Sequence, residues 1–183
     1  MHLEKIRAVN AAELTTLLHQ AYQSDEILGI HFTAAAVEEE KVIAHLKTTP
    51  VFGYWIGGRL VTTISVRLPW SANPGPFQLP HLGWIATSPA FTRRGYAKKI
   101  IEEVISKYIQ QELHASAVTL GTASEHPWLQ QAYQTLGFQP FERVRKYADH
   151  ETVYLLKVLD VEALTELKNN RLKKLIITKK QRG

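Results

Sequence analysis

The thirteen residues Ile85-Ala86-Thr87-Ser88-Pro89-Ala90-Phe91-Thr92-Arg93-Arg94-Gly95-Tyr96-Ala97 carry the clearest chemical signal in the chain. A hydrophobic run turns, through small and basic residues, into a long amphipathic segment. The first turn of a helix offers backbone N–H groups that have no intrahelical partner. The aligned peptide dipoles add roughly half a positive charge there. Gly95 has no side chain to block an approaching anion, Ala97 has little, and Arg93 and Arg94 add positive charge. A phosphate or pyrophosphate suits such a turn in charge and in geometry. An ordinary strand-to-helix turn with surface arginines accounts for the same residues. Neither Gly-x-x-x-x-Gly-Lys-Ser/Thr nor Gly-x-Gly-x-x-Gly occurs, which argues against an NTPase and against a dinucleotide fingerprint.

Other chemistry is excluded by what the chain lacks. It contains no cysteine, so it has no disulfide, no thiolate metal ligand, no iron–sulfur cluster and no cysteine nucleophile. No two of its eight histidines stand four apart, so no metal site is indicated. The lack of cysteine also fits a cytoplasmic location.

The elements that must position these residues follow from periodicity. Leu3 to Val9 reads as a strand, and Asn10 precedes Glu13 by the spacing of a capping box. Leu14, Leu17, Leu18, Ala21 and Tyr22 recur at helical spacing, and a second helix is expected from Ala34 to Lys47, capped by Thr33, after a linker with Asp25 and Glu26. Gly57-Gly58 between Val51–Ile56 and Arg59–Arg67 is a tight-hairpin signal, with Leu60, Thr62, Ile64 and Val66 on one face. Leu68 to Pro80 is a proline-rich loop whose Trp70 and Phe77 either line a pocket or plug the underside of the loop.

His81–Thr87 reads as a buried strand, followed by the clearest helical stripe: Ala97, Ile100, Ile101, Val104, Ile105, Tyr108 and Ile109. With Val118–Thr122 this makes a βαβ unit, whose strands should be parallel and whose crossover right-handed. Pro127 opens a further helix with the stripe Leu129, Ala132, Tyr133 and Leu136, and Gly137 ends it. Phe141–Tyr147 and Thr152–Val158 form a last strand pair, and Asp160 caps a final helix.

Size and composition agree with one domain. The chain has 183 residues, 45% hydrophobic and 21% charged, and a mean hydropathy of -0.17. No run is long and apolar enough for a membrane span, and the first ten residues lack a signal-peptide core. The net charge of +5 is uneven. Seven Lys or Arg and no acid lie between Lys168 and Gly183, which leaves fifteen bases against seventeen acids in the rest. The division expected is a domain over 1–159 and a basic helix or tail over 160–183. Such a tail either binds nucleic acid or is a solvated end, and the lack of interleaved aromatics favours the second.

The segment Thr92-Arg93-Arg94-Gly95-Tyr96-Ala97 resembles the cofactor loop of the GNAT family, the Gcn5-related N-acetyltransferases, Gln/Arg-x-x-Gly-x-Gly/Ala. The glycine and the final small residue match; Thr92 departs from the first position. Tyr133-Gln134-Thr135-Leu136-Gly137-Phe138 is similar to the family's Tyr-x-x-x-Gly-Phe, in the expected order and at about the expected distance. The resemblance implies an α/β (α+β) fold: a mixed, mostly antiparallel twisted sheet with a central parallel βαβ unit and helices on both faces. It implies acetyl-CoA as co-substrate, no metal, and transfer of the acetyl group to a primary amine by direct attack. Arg93, Arg94, Gly95, Tyr96, Ala97 and Lys98 would hold the pyrophosphate. The main chain of Ile85, Ala86 and Thr87 would serve the pantetheine arm and the oxyanion. His126 stands where relatives often carry a cofactor-binding asparagine.

By the same resemblance Tyr133 would protonate the leaving thiolate, although it also lies on an apolar stripe, where a tyrosine can simply serve the core. His81, Glu125 and His126 are candidate bases beside a water path. Asp25 and Glu26 would attract a cationic acceptor, while Glu38–Glu40 reads as a solvated helix face. The acceptor, a small-molecule or peptide amine, is left open, and so are protein N-terminal or lysine acetylation and a non-catalytic acyl-CoA sensor. Related proteins are often homodimers.

Overall fold

The computed structural model describes residues 2–27, 29–30, 32–145, 150–166 and 171–172. In chain order the elements are β1 (Glu4–Lys5), α1 (Ala11–Ile27), α2 (Glu39–Thr48), β2 (Val51–Ile56), β3 (Arg59–Arg67), β4 (His81–Thr87), α3 (Tyr96–Val104), β5 (Ala117–Ala123), α4 (Pro127–Thr135), β6 (Gln139–Val144), β7 (Thr152–Val158) and α5 (Val161–Glu166). Gly57 and Gly58 both take positive φ, 56° and 75°, which is the backbone a two-residue hairpin between β2 and β3 demands. Seven strands form one sheet in the order β1-β2-β3-β4-β5-β7-β6. Among the described residues only β4 and β5 pair in parallel, and α3 connects them. This is the mixed, mostly antiparallel sheet with a central βαβ unit that the sequence predicts.

The two faces of the sheet are packed differently. On one face Phe52, Ile64, Val66, Leu82, Val118, Leu120, Val153 and Leu155 meet the stripe of α3, including Ile100, Ile101 and Val104, and Tyr133 of α4. Each such side chain contributes about 1.5–3 kcal/mol by burial. On the other face α1 and α2 cover Val51, Leu60 and Ala86 through Leu14, Leu17, Leu18 and Val42. Further along, Leu164 and Leu172 bury against Leu79, Ala117 and Leu156. Between these two covers the strands present small or polar residues, Ser65, Gly83, Thr119 and Gly121, and the packing opens.

Several predicted elements differ in detail. Only Glu4–Lys5 of the first strand pairs, and a 3-10 turn over Ala8–Asn10 follows. The expected capping box does not form, because Glu13 is used elsewhere: its carboxylate accepts from Leu60 N–H at 2.6 Å and from Trp55 Nε1 at 3.2 Å. The second helix starts late. Thr33–Ala36 is a 3-10 turn, Val37 and Glu38 are extended, and α2 begins at Glu39, so Thr33 caps nothing. Asp25 and Glu26 belong to the last turn of α1 rather than to a linker. Glu38–Glu40 is exposed as expected, with Glu39 and Glu40 in the first turn of α2, where the helix dipole favours acids.

Leu60 joins the α1 and α2 side while Ile64 and Val66 join the other, because β3 carries an extra residue where its register shifts against β2 between Tyr54 and Trp55. The central helix widens into a π-helical stretch over Ile105–Gln110, yet Ile105 and Ile109 stay buried. Phe77 plugs its loop against Phe141, 5.2 Å between ring centres, whereas Trp70 is 70% exposed. Asp160 caps α5 as predicted, its Oδ1 accepting from Ala163 N–H at 3.0 Å. Within the basic segment Arg171 pairs with Glu142 and lies 5.7 Å from the Phe77 ring centre. So the chain after Asp160 starts out packed on the sheet; Lys168 and residues 173–183 lie outside the described residues, as does Tyr147.

Candidate active site

The turn into α3 is made of left-handed backbone. Arg93 has φ 59° and Gly95, the residue before the helix, φ 78°. At Gly95 an added Cβ meets open space, so the glycine is there for its dihedral angle and leaves a clear approach. No side chain caps the helix. Successive N–H groups in such a turn form a concave donor surface at the positive end of α3. Arg93, Arg94 and Lys98 are exposed around it; Arg94 rests on the Phe91 ring at 5.3 Å and Lys98 is 3.9 Å from Glu102. Tyr96 and Ala97 begin the helix and are half-buried. The predicted pyrophosphate residues therefore cluster, with main-chain donors inside and cations at the rim.

Behind this turn β4 and β5 part. They pair only at His81↔Thr119 and Leu82↔Leu120, so β4 from Gly83 to Thr87 has no pairing with β5. The other edge of β4 is tied down: Thr63↔Ala86 and Thr62↔Thr87 pair, and the buried Thr62 hydroxyl donates to Ala86 O at 2.8 Å. Trp84, opposite the register shift in β3, has φ 45°, a left-handed conformation costing a bulky residue about 1–3 kcal/mol. Its ring stacks on His45 of α2, 4.0 Å between centres.

The parting opens a cavity of about 420 Å³. Ser65, Gly83 and Gly121 form a floor of small residues, Tyr22, Phe32 and Trp84 an aromatic wall, and Tyr133 and Leu129 of α4 border it from beyond the gap. His81, Ile85 and Tyr133, three of the predicted residues, all line it. His81 is buried, with Nδ1 2.9 Å from Thr119 Oγ1. That hydroxyl donates to Pro80 O at 3.3 Å, which leaves Nδ1 as the donor to Thr119 Oγ1. Tyr133 is 9% exposed and meets Phe138 edge-on.

Glu125 and His126 lie outside the lining. His126 precedes α4, where its carbonyl accepts from Leu129 and Gln130, and its buried ring sits between Trp128 and Phe32. Glu125 is exposed. Burial works to raise its pKa, but its own backbone N–H, the Ser124 hydroxyl, His150 and His126 more than offset this and hold the carboxyl below the ordinary range. A lowered pKa makes it a weak base. Asp25 and Glu26 stand on α1. No group of three potential metal ligands occurs among the described residues.

Sequence reasoning passed over Arg67, His45, Asn73 and Trp84, all of which line the cavity. Arg67 ends β3 in register with His81. His45 is held down to about 4 by burial and by the charge of Arg67. Nothing in the local pattern marks these residues; the one available signal was alternation along β3, which puts Ser65 and Arg67 opposite the apolar Ile64 and Val66.

The same frame recurs in known proteins. Residues 11–138 match the family model described as Acetyltransferase (GNAT) family. The chain is 31% identical over 150 residues to the S-(2-succino)cysteine N-acetyltransferase of Bacillus subtilis (strain 168), covering 82% of this chain and 91% of that protein. It is 30% identical over 141 residues to the S-alkylcysteine N-acetyltransferase of the same organism, covering 76% and 79%. Among solved structures, the ribosomal-protein-alanine N-acetyltransferase from Brucella melitensis superposes with a TM-score of 0.67 at 12% identity, over 87% of this chain and 100% of that one, a likeness of fold alone. The parted parallel strands, the left-handed turn into α3 and these matches converge: the chain belongs to the GNAT family of acetyltransferases and is an N-acetyltransferase.

Proposed function

We propose that the turn from Arg93 to Lys98 holds the pyrophosphate of acetyl-CoA, that the pantetheine arm follows β4 along its edge toward β5, and that the acceptor is the amine of a small S-substituted cysteine. Two relatives act on such cysteine derivatives by name. The residues present fit the co-substrate: an open approach at Gly95, cations around it, and a strand edge with no partner strand beyond Leu82. Acetyl-CoA supplies an activated acetyl thioester. A backbone N–H at Ile85 or Ala86 donates to the carbonyl oxygen as negative charge gathers there. Nε2 of His81 accepts the proton that the attacking amine must shed, directly or through water. The Tyr133 hydroxyl gives its proton to the departing sulfur. A cavity of this size suits a small acceptor, and its aromatic wall suits a thioether chain.

The observation that carries this reading is that one cavity, opened by the parting of β4 and β5, is lined by both His81 and Tyr133. The test is thiol release from acetyl-CoA with S-(2-succino)cysteine, S-alkylcysteines, a polyamine and a peptide with a free N-terminus. Release with the cysteine derivatives is expected. Release with peptides alone would move the acceptor to protein termini, and cofactor binding without release on any acceptor would remove the catalytic roles.

A further inference from the structure

His81 stands where the sheet begins to part, and its neighbours fix its ring. Its Nδ1–H donates to Thr119 Oγ1 at 2.9 Å, across the register of the two parallel strands. The Thr119 hydroxyl donates in turn to Pro80 O at 3.3 Å, and Thr119 N–H reaches the same carbonyl at 3.0 Å. A hydroxyl that donates onward is a stronger acceptor, because the two bonds polarise one another. Thr119 is fully buried and His81 is 6% exposed, so little water competes for these bonds. Gly75, in the proline-rich loop, closes on the pair. Its φ of -70° is open to any residue, yet an added Cβ would stand 2.5 Å from His81 Cβ and 3.0 Å from Thr119 Oγ1. The glycine is therefore required by contact rather than by its dihedral angle. Tyr154 of β7 meets the imidazole edge-on at 5.9 Å.

The hydrogen bond made at one imidazole nitrogen decides which nitrogen takes up a proton. With the Nδ1 hydrogen committed to Thr119, uptake falls to Nε2, and the positive charge that follows strengthens the Nδ1–H bond instead of breaking it. Resting on the reading of His81 as the group that accepts the amine's proton, we propose that Thr119 is a positioning residue of the acetyl transfer: its hydroxyl, braced on Pro80 O and packed by Gly75, holds the His81 ring in one orientation and steadies the imidazolium formed as the amine attacks. Thr119 loses no proton in the step. The amine nitrogen bonds to the acetyl carbon, its proton goes to His81, and the departing sulfur takes one from Tyr133. A third group that orients the base is the general logic of such constellations.

The test is a double-mutant cycle in the thiol-release assay, with whichever acceptor of the panel above reacts fastest. Thr119→Val keeps the shape and leaves Pro80 O its main-chain donor, but removes the hydroxyl. It should lower kcat about tenfold, the scale of one hydrogen bond to a charged group, while KM for acetyl-CoA and coenzyme A affinity by calorimetry stay within about twofold of wild type. Thr119→Ser should recover most of the loss. In the His81→Gln background the same Thr119→Val change should cost less than about twofold. NMR of nitrogen-labelled histidine should show a His81 Nδ1–H resonance protected from exchange in the wild type and in Thr119→Ser, and missing in Thr119→Val. A full kcat in Thr119→Val, an equal loss in both backgrounds, or no protected resonance in the wild type overturns the role of Thr119 and leaves that of His81 standing. A wild-type kcat in His81→Gln removes His81 as the proton acceptor, and the role of Thr119 with it. If no acceptor of the panel reacts while coenzyme A binds, both roles fall. Should Thr119→Val lose coenzyme A affinity, Thr119→Ala takes its place with the same expectations, and the wild-type resonance still decides.

Discussion

The turn into α3 and the cavity beyond it are built in opposite ways. The turn is one short stretch of chain whose useful groups are main-chain N–H donors aimed by two left-handed residues, Arg93 and Gly95. The cavity is assembled from side chains on α1, α2, β3, β4, β5, α4 and β7, which no short stretch brings together. Chemistry made of backbone tolerates side-chain change as long as the dihedral angles survive. Chemistry made of side chains does not. The difference predicts where substitutions hurt.

The largest effect belongs to the cavity. Tyr133→Phe removes only a hydroxyl and should lower kcat by about 10²–10⁴-fold, with little change in KM for acetyl-CoA, as measured by thiol release. A wild-type kcat across pH would return Tyr133 to the core. His81→Gln should lower kcat by about 10²-fold and flatten the acidic side of the pH–rate profile; an unaltered profile would assign the proton to a water path alone.

His45 offers a test by stability. Its folded pKa of about 4 lies below its ordinary 6.5. The unfolded chain therefore binds the extra proton first, and the stabilisation, complete above pH 6.5, is lost as pH falls toward 4. Between those limits His45→Gln should lose less stability than wild type, by about 1–2 kcal/mol once the ring's remaining exposure is allowed for. Parallel melting curves for the two proteins would show no such role for His45.

Within the turn, the backbone should matter more than the charges. Gly95→Val forces a branched residue into left-handed backbone and should weaken coenzyme A binding about tenfold. Arg93→Ala with Arg94→Ala removes only exposed cations and should weaken it about two- to threefold at low salt and less in high salt. A loss from the arginine pair larger than that from Gly95→Val would reverse the contrast between main chain and side chain.

The same contrast explains what could be read in advance. The hairpin at Gly57-Gly58, the β4–α3–β5 crossover and the turn itself follow from local rules, because residues close in sequence decide them. The use of Glu13 by the β2–β3 hairpin did not, because partners far along the chain outbid local propensity. Arg67 and His45 are 22 residues apart in sequence. They become a pair only when α2 lies across the sheet, so neither looked like part of a site. Tyr133 and His81 were named by motif and by position at a strand end. That they share one lining is a fact of the splayed sheet.

Trp84 sets a limit on improving this protein by engineering. Glycine at that position would relieve the left-handed backbone. It would also strip the indole from His45 and from the wall of the cavity. The strain at this one residue is held in place by the packing of its own ring, so a substitution that removes the one removes the other.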